Sequence, residues 1–115
     1  MMMRKIKRKI NYWFQRRIRG WSDDECWDLR YSFIKWFNEH LKVYKRDANK
    51  IVDLEYHKYI YKGKQYTQLE LINILIESTD KCLLIYGDLD FLNQFSQLKD
   101  DIFEISNLIF WDMWW

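Results

Sequence analysis

The sequence predicts a mainly α fold, a compact bundle of about four helices with one short β-hairpin. Three observations carry that reading. Proline is absent and glycine numbers only 3 in 115 residues, so the chain lacks the punctuation of a loop-rich sandwich or barrel. Hydrophobic residues make up 49% and charged residues 31%, a globular composition long enough to bury a core without disulfides or a metal. Apolar residues recur at three and four through several long segments, the period of a helix buried on one face. The length is that of one domain, taken as residues 1–115 with a basic N-terminal helix.

The first helix is predicted over residues 4–19. Ile6, Ile10, Trp13, Phe14 and Ile18 fall on one face, and Lys and Arg fill most of the other. Gly20 follows where a left-handed residue ends a helix. Ser22 and Glu25 then form a capping box, with Asp23 and Asp24 complementing the positive end of a second helix. Its stripe is Cys26, Leu29, Phe33, Phe37, Leu41 and Tyr44, broadened by Trp27, Tyr31, Ile34 and Trp36, with an end near Lys45 or Arg46. Residues 47–66 favour an irregular connection or a hairpin, because β-formers flank Lys62-Gly63-Lys64. A second capping box, Thr67 with Glu70, opens a third helix whose stripe is Leu69, Ile72, Leu75, Ile76 and Thr79. Gly87 with Asp88 punctuates the chain after it.

The last helix has the clearest period. Phe91, Phe95, Leu98, Ile102, Ile105 and Ile109 make a heptad-like seam that suits either packing within a bundle or self-association. Trp111, Met113, Trp114 and Trp115 follow, an aromatic end expected to be packed rather than frayed. A homo-oligomer is therefore expected, with Phe95, Ile102, Ile109, Trp111, Trp114 and Trp115 at its interface.

Charge is unevenly placed. The formal net charge is only +2, yet residues 4–19 hold eight basic side chains and no acid. The remainder has 11 basic and 17 acidic residues, a balance of −6. A basic arm on an acidic body points to an anionic partner, whether nucleic acid, nucleotide or membrane surface. The opposing reading is a solvated amphipathic face. Apolar runs are short, such as Leu83 to Tyr86, so no bilayer span and no membrane partner are expected, and no apolar run of a signal peptide follows the basic N-terminus.

The best candidate ligand site is the corner after the first helix. Arg16 and Arg19 are fork-shaped donors suited to phosphate, Trp21 offers a stacking surface, and Ser22, Asp23 and Trp27 complete the set. The competing reading is a helix corner fixed by Gly20 and the capping box, with Trp21 packed as a staple. Asp23, Asp24, Glu25 and Asp28 are ordinary first-turn acids, and no metal is expected. His40 and His57 lack zinc-like or catalytic partners, Cys26 reads as a small core residue, and the two cysteines suit a reducing cytosol. No phosphate-loop, dinucleotide, nucleophile-elbow or zincin motif is present, so neither catalysis nor a cofactor is expected.

The stretch INYWFQRRIRGWSDDECWDL resembles a group of uncharacterised bacteriophage proteins whose signature is Q-R-x-x-R-G-W-[SA]-D-x-D-x-W-x-[LM]-D. Gln15, Arg16, Arg19, Gly20, Trp21, Ser22, Asp23, Trp27 and Leu29 fit it, while Glu25 and Arg30 replace two of its aspartates. The C-terminus is similar to the group's F-x-x-L-W-D ending at Phe110, Met113 and Trp114, with Trp115 in place of the last Asp. The resemblance covers the first forty or so and the last fifteen residues and implies a phage origin and a compact helical fold; with the reducing cytosol that the cysteines suit, the host cytoplasm is the expected location. Joined to the basic and aromatic inventory, it gives the expectation of a counter-defence protein that sequesters a nucleotide immune signal without catalysis. The alternatives are a protein-binding inhibitor of a host or defence factor and a nucleic-acid-binding accessory protein.

Overall fold

The computed structural model describes residues 2–86 and 91–115. In chain order the elements are α1 (Met2–Arg19), a 3-10 turn (Asp23–Cys26), α2 (Leu29–Ala48), β1 (Lys58–Tyr61), β2 (Lys64–Thr67), α3 (Gln68–Ile85), α4 (Phe91–Ile109) and a closing 3-10 turn (Phe110–Asp112). The fold is mainly α, with four helices and one two-stranded hairpin. The chain divides into two compact units, Met1–Phe33 and Ile34–Trp115. Gly87 and Asp88, expected to punctuate the chain, lie outside the described residues, as does the Phe91 side chain.

In the first unit, α1 ends as its sequence predicts. Arg16, Arg17 and Arg19 occupy its last turn, where cations suit the helix dipole, and Gly20 takes a φ of +84°. The second helix does not start at Ser22. Ser22 begins only the 3-10 turn, and the reach-back half of the capping box forms, with Ser22 N–H donating to Glu25 Oε2 at 2.6 Å. Asp28 then caps α2, its Oδ1 accepting from Tyr31 N–H at 3.3 Å and its carbonyl from Ser32 N–H at 3.1 Å. Two capping residues six apart split the pattern, because each satisfies backbone donors that the start of a helix leaves orphaned. The expected stripe of the second helix divides at the same place. Leu29 is 67% exposed and Trp27 69%, whereas Ile34 and Leu41 are buried. Cys26, expected in the core, is exposed, since the 3-10 turn does not continue the helical phase of α2.

The second unit holds the hydrophobic core. Ile102, Ile105 and Ile109 of α4 are fully buried with Leu71, Ile72 and Leu75 of α3, and α2 adds Ile34, Leu41 and Ala48. The α4 seam therefore packs inside its own unit. Phe95, Ile102 and Ile109, expected at an interface between copies, belong to this core or pack against it. A buried polar clasp joins α2 to α3. Asn38 Nδ2 donates to Thr79 Oγ1 at 2.8 Å and to Asp80 Oδ1 at 2.9 Å, and Lys42 reaches the same carboxylate oxygen at 2.9 Å.

The hairpin sits where the β-formers predict it. Tyr61 pairs with Lys64 across a two-residue turn in which both Lys62 (φ 51°) and Gly63 (φ 75°) are left-handed, the twist that matches antiparallel strands. Lys62 has a Cβ and takes that conformation at a cost. Its ammonium lies 3.1 Å from Asp101 Oδ1, which ties the turn to α4. Thr67 and Glu70 complete both halves of their capping box at 3.1 and 3.0 Å, and α3 starts there as expected. No helix among the described residues is long and apolar enough to cross a membrane.

Candidate functional site

The corner after α1 is built from side chains that α1 presents at helical spacing. Tyr12, Gln15, Arg16 and Arg19 share one face. Gln15 Nε2 donates to Asp23 Oδ2 at 2.8 Å, and its Oε1 accepts from Asp23 N–H at 2.7 Å, a two-point lock on the backbone after Gly20. Arg16 Nη1 donates to Ser22 Oγ at 2.9 Å and lies 3.7 Å from Asp24 Oδ1, the carboxylate to which the Ser22 hydroxyl donates. Arg19 pairs with Asp23, donates through Nε to Trp21 O at 3.1 Å, and sets its guanidinium 3.7 Å from the centroid of the Trp21 ring. The Arg19 hydrogen bond, with help from Gln15, holds the Asp23 carboxyl below the usual carboxylate range.

The structure thus brings together Arg16, Arg19, Trp21, Ser22 and Asp23, the residues singled out in the sequence. It does so with each guanidinium engaged by a carboxylate. The Trp27 ring meets the Tyr12 ring edge-on at 5.7 Å and stays 69% exposed. Chemically, the corner is a satisfied polar joint. An incoming phosphate would have to displace Asp23 from Arg19 and Asp24 from Arg16. Trp21 carries a guanidinium on its ring where a base would stack.

The sequence pattern pointed to a different feature without showing its state. Ile6, Ile10, Trp13, Phe14 and Ile18 lie on the face of α1 roughly opposite Tyr12, Gln15, Arg16 and Arg19. All five are between 49% and 83% exposed. The polar side of α1 makes the contacts of this unit, and the apolar side is exposed. Trp13 and Phe14 touch edge-on at 5.0 Å, and Arg17 lies 5.1 Å above the Trp13 ring. Lys5, Lys7, Arg8 and Lys9 form no ion pair among the described residues. Periodicity gives the stripe; only coordinates tell which side of the helix is covered.

In the second unit the aromatic end is partly anchored. Met113 packs against the core, Tyr44 Oη donates to Trp114 O at 3.1 Å, Gln68 Nε2 donates to Asp112 O at 2.9 Å, and Tyr59 donates its hydroxyl to the Asp112 carboxylate. Burial and that carboxylate push the Tyr59 hydroxyl well above its ordinary range. Trp111, Trp114 and Trp115 are nevertheless 84%, 65% and 52% exposed. A cavity of about 520 Å³ lies between Glu39, His40, Val43, Tyr44 and Trp115, and one of about 190 Å³ includes Asp53, His57, Gln68 and Asp112. Neither is lined by Lys or Arg, so neither supplies a clamp for phosphate. His40 Nδ1–H donates to the Trp36 carbonyl, 2.7 Å away, and the imidazole stacks on the Trp36 ring at 4.2 Å. No group of three or more His, Cys, Asp or Glu side chains among the described residues could hold a metal ion.

Comparison of the chain with family models, curated proteins and solved structures finds no match.

Proposed function

We propose that this chain is a non-catalytic binding protein, that α1 is the element that binds, and that the partner is a large anionic one. A single observation carries the reading. The two arginines best placed for a small phosphate, Arg16 and Arg19, are paired internally, while the basic groups at positions 5 to 9 form no ion pair among the described residues. A free nucleotide needs a pocket with convergent donors, and neither of these two cavities among the described residues offers one. An extended anion needs only a line of charge. The remainder of the chain, at −6, would repel such a partner and concentrate contact on α1. The resemblance to phage proteins supports a setting of host takeover or counter-defence inside the host cell, with capture rather than chemistry as the means.

Heparin tests the charge alone, since it has neither bases nor acyl chains. The native chain is expected to stay on a heparin column to higher salt than the double variant Arg8→Gln/Lys9→Gln. Titration calorimetry against mono-, di- and cyclic nucleotides should show no heat. Tight nucleotide binding that depends on Arg19, with heparin retention unchanged by the double variant, would restore the nucleotide-sequestering reading in its place.

A further inference from the structure

We infer that α1 is an interfacial helix whose partner is the surface of an anionic lipid bilayer; this rests on the reading that α1 is the binding element. The argument starts from its two faces. A helix that binds polyanions through charge alone has no use for an exposed stripe of Ile10, Trp13, Phe14 and Ile18. With Ile6 the stripe covers residues 6–18 of a helix that runs from Met2 to Arg19. Its exposure costs hydration free energy until something apolar covers it. A second copy of α1 does not fit, because it would bring another eight basic side chains, with no acid between residues 4 and 19 to meet them. Nucleic acid accounts for the charges and leaves the stripe in water. A bilayer interface accounts for both. Apolar side chains enter the acyl boundary while Lys and Arg remain among anionic headgroups, and an indole sits well at that depth. Lying on the surface makes no demand for a spanning segment.

Length and charge agree with that placement. Eighteen helical residues extend about 27 Å at 1.5 Å each, enough to lie along the interface over several headgroups. The first turn holds Arg4 and Lys5 and no acid, an arrangement that opposes the helix dipole and weakens α1 in water. Anionic headgroups remove that repulsion, so surface binding and helix stability reinforce each other.

The test is sedimentation of the full chain with vesicles, using phosphatidylcholine alone and phosphatidylcholine mixed with phosphatidylglycerol. Two double variants separate the terms, and both introduce glutamine, a good helix former. The expected result is binding to the anionic vesicles that exceeds binding to neutral ones and falls with salt. Arg8→Gln/Lys9→Gln should weaken it by about fivefold for each charge. Ile10→Gln/Trp13→Gln should weaken it by about tenfold or more, since two large apolar side chains leave the interface. Circular dichroism checks that each variant keeps its helix; if the apolar pair loses it, Ile6→Gln and Ile18→Gln supply the same reading from other turns. Binding that ignores the apolar pair overturns the inference, as does equal binding to neutral vesicles. So does a short single-stranded oligonucleotide that competes the chain off the vesicles at equal phosphate. If vesicles fail while heparin retention persists, the lipid inference falls and polyanion capture stands. If heparin retention is also absent, both fall.

Discussion

Helices α1 and α4 have the same kind of sequence stripe and opposite fates. Ile102, Ile105 and Ile109 of α4 are fully buried in Ile34–Trp115, while Ile6, Ile10 and Ile18 of α1 are 53%, 50% and 83% exposed in Met1–Phe33. Among the described residues of the first unit, only Ser22 is buried. That unit is held by a polar joint, and the second by a core of a dozen buried side chains from four elements and the loop before β1. The contrast teaches that amphipathic periodicity identifies a face that must be covered, and says nothing of what covers it. In α4 the chain supplies the cover. In α1 it presents the polar face to its own turn and leaves the apolar face exposed.

The largest difference should appear in thiol reactivity. Cys26 is exposed in the first unit; Cys82 is buried in the second, and burial pushes its thiol up to about 11. A disulfide reagent at neutral pH should label Cys26 within the mixing time of a simple assay. Cys82 should react more slowly by a factor of about 10³ or more, because it waits for the fold to open. Similar rates for both cysteines would break the comparison outright.

Core truncation comes next. Ile102→Ala should lower the unfolding free energy by about 2–5 kcal/mol in a urea titration, and Ile10→Ala by no more than about 0.5 kcal/mol. The two residues have the same chemistry and the same position in a stripe, so any difference reports cover alone. Smaller again is Asn38→Ala, expected to cost about 1–3 kcal/mol, since Nδ2 is the shared donor to Thr79 and Asp80 in the α2–α3 clasp. An unchanged urea midpoint for Asn38→Ala would mean that packing, not the clasp, fixes the two helices.

Local signals were the legible ones. The Thr67–Glu70 box, the left-handed Lys62-Gly63 turn, the stop at Gly20 and the α4 seam are all written within a few residues of where they act. The Asp28 cap is local too, but the Ser22–Glu25 box six residues before it is by itself a sufficient start signal for α2 and hides it. Nonlocal facts were illegible. Nothing near Leu29 distinguishes its exposed stripe from the buried one at Ile34 and Leu41. Asn38 finds Thr79 only through the α2–α3 packing. At the corner, the grouping of Arg16, Arg19, Trp21, Ser22 and Asp23 was readable from spacing. Their engagement with one another was not, since a donor beside a carboxylate in sequence can serve either a ligand or its neighbour.

The finest prediction asks whether charge or backbone dipole holds each unit's lowered carboxylate. Asp23 in the first unit and Glu70 in the second both sit below their ordinary range. The leading cause at Asp23 is the Arg19 hydrogen bond, and at Glu70 it is the Thr67 backbone N–H followed by the Thr67 hydroxyl. A carboxyl whose pKa is lower folded than unfolded stabilises the fold fully above its unfolded value, about 4 for both types. That contribution fades as the pH falls through the lower, folded value, so both effects are lost only in acid. Salt then separates them. Raising ionic strength screens an exposed guanidinium, so the Asp23 midpoint should move up toward its ordinary value, as it should in Arg19→Gln. A peptide N–H and a hydroxyl are held by the helix start and carry no net charge, so the Glu70 midpoint should move less, by only the smaller part that the Lys64 and Lys58 charges contribute. Carboxyl carbon NMR titrations at low and high salt read both groups in one sample. If Glu70 moved as far as Asp23, the division between a unit joined by charge and one joined by packing and backbone geometry would not hold at its caps.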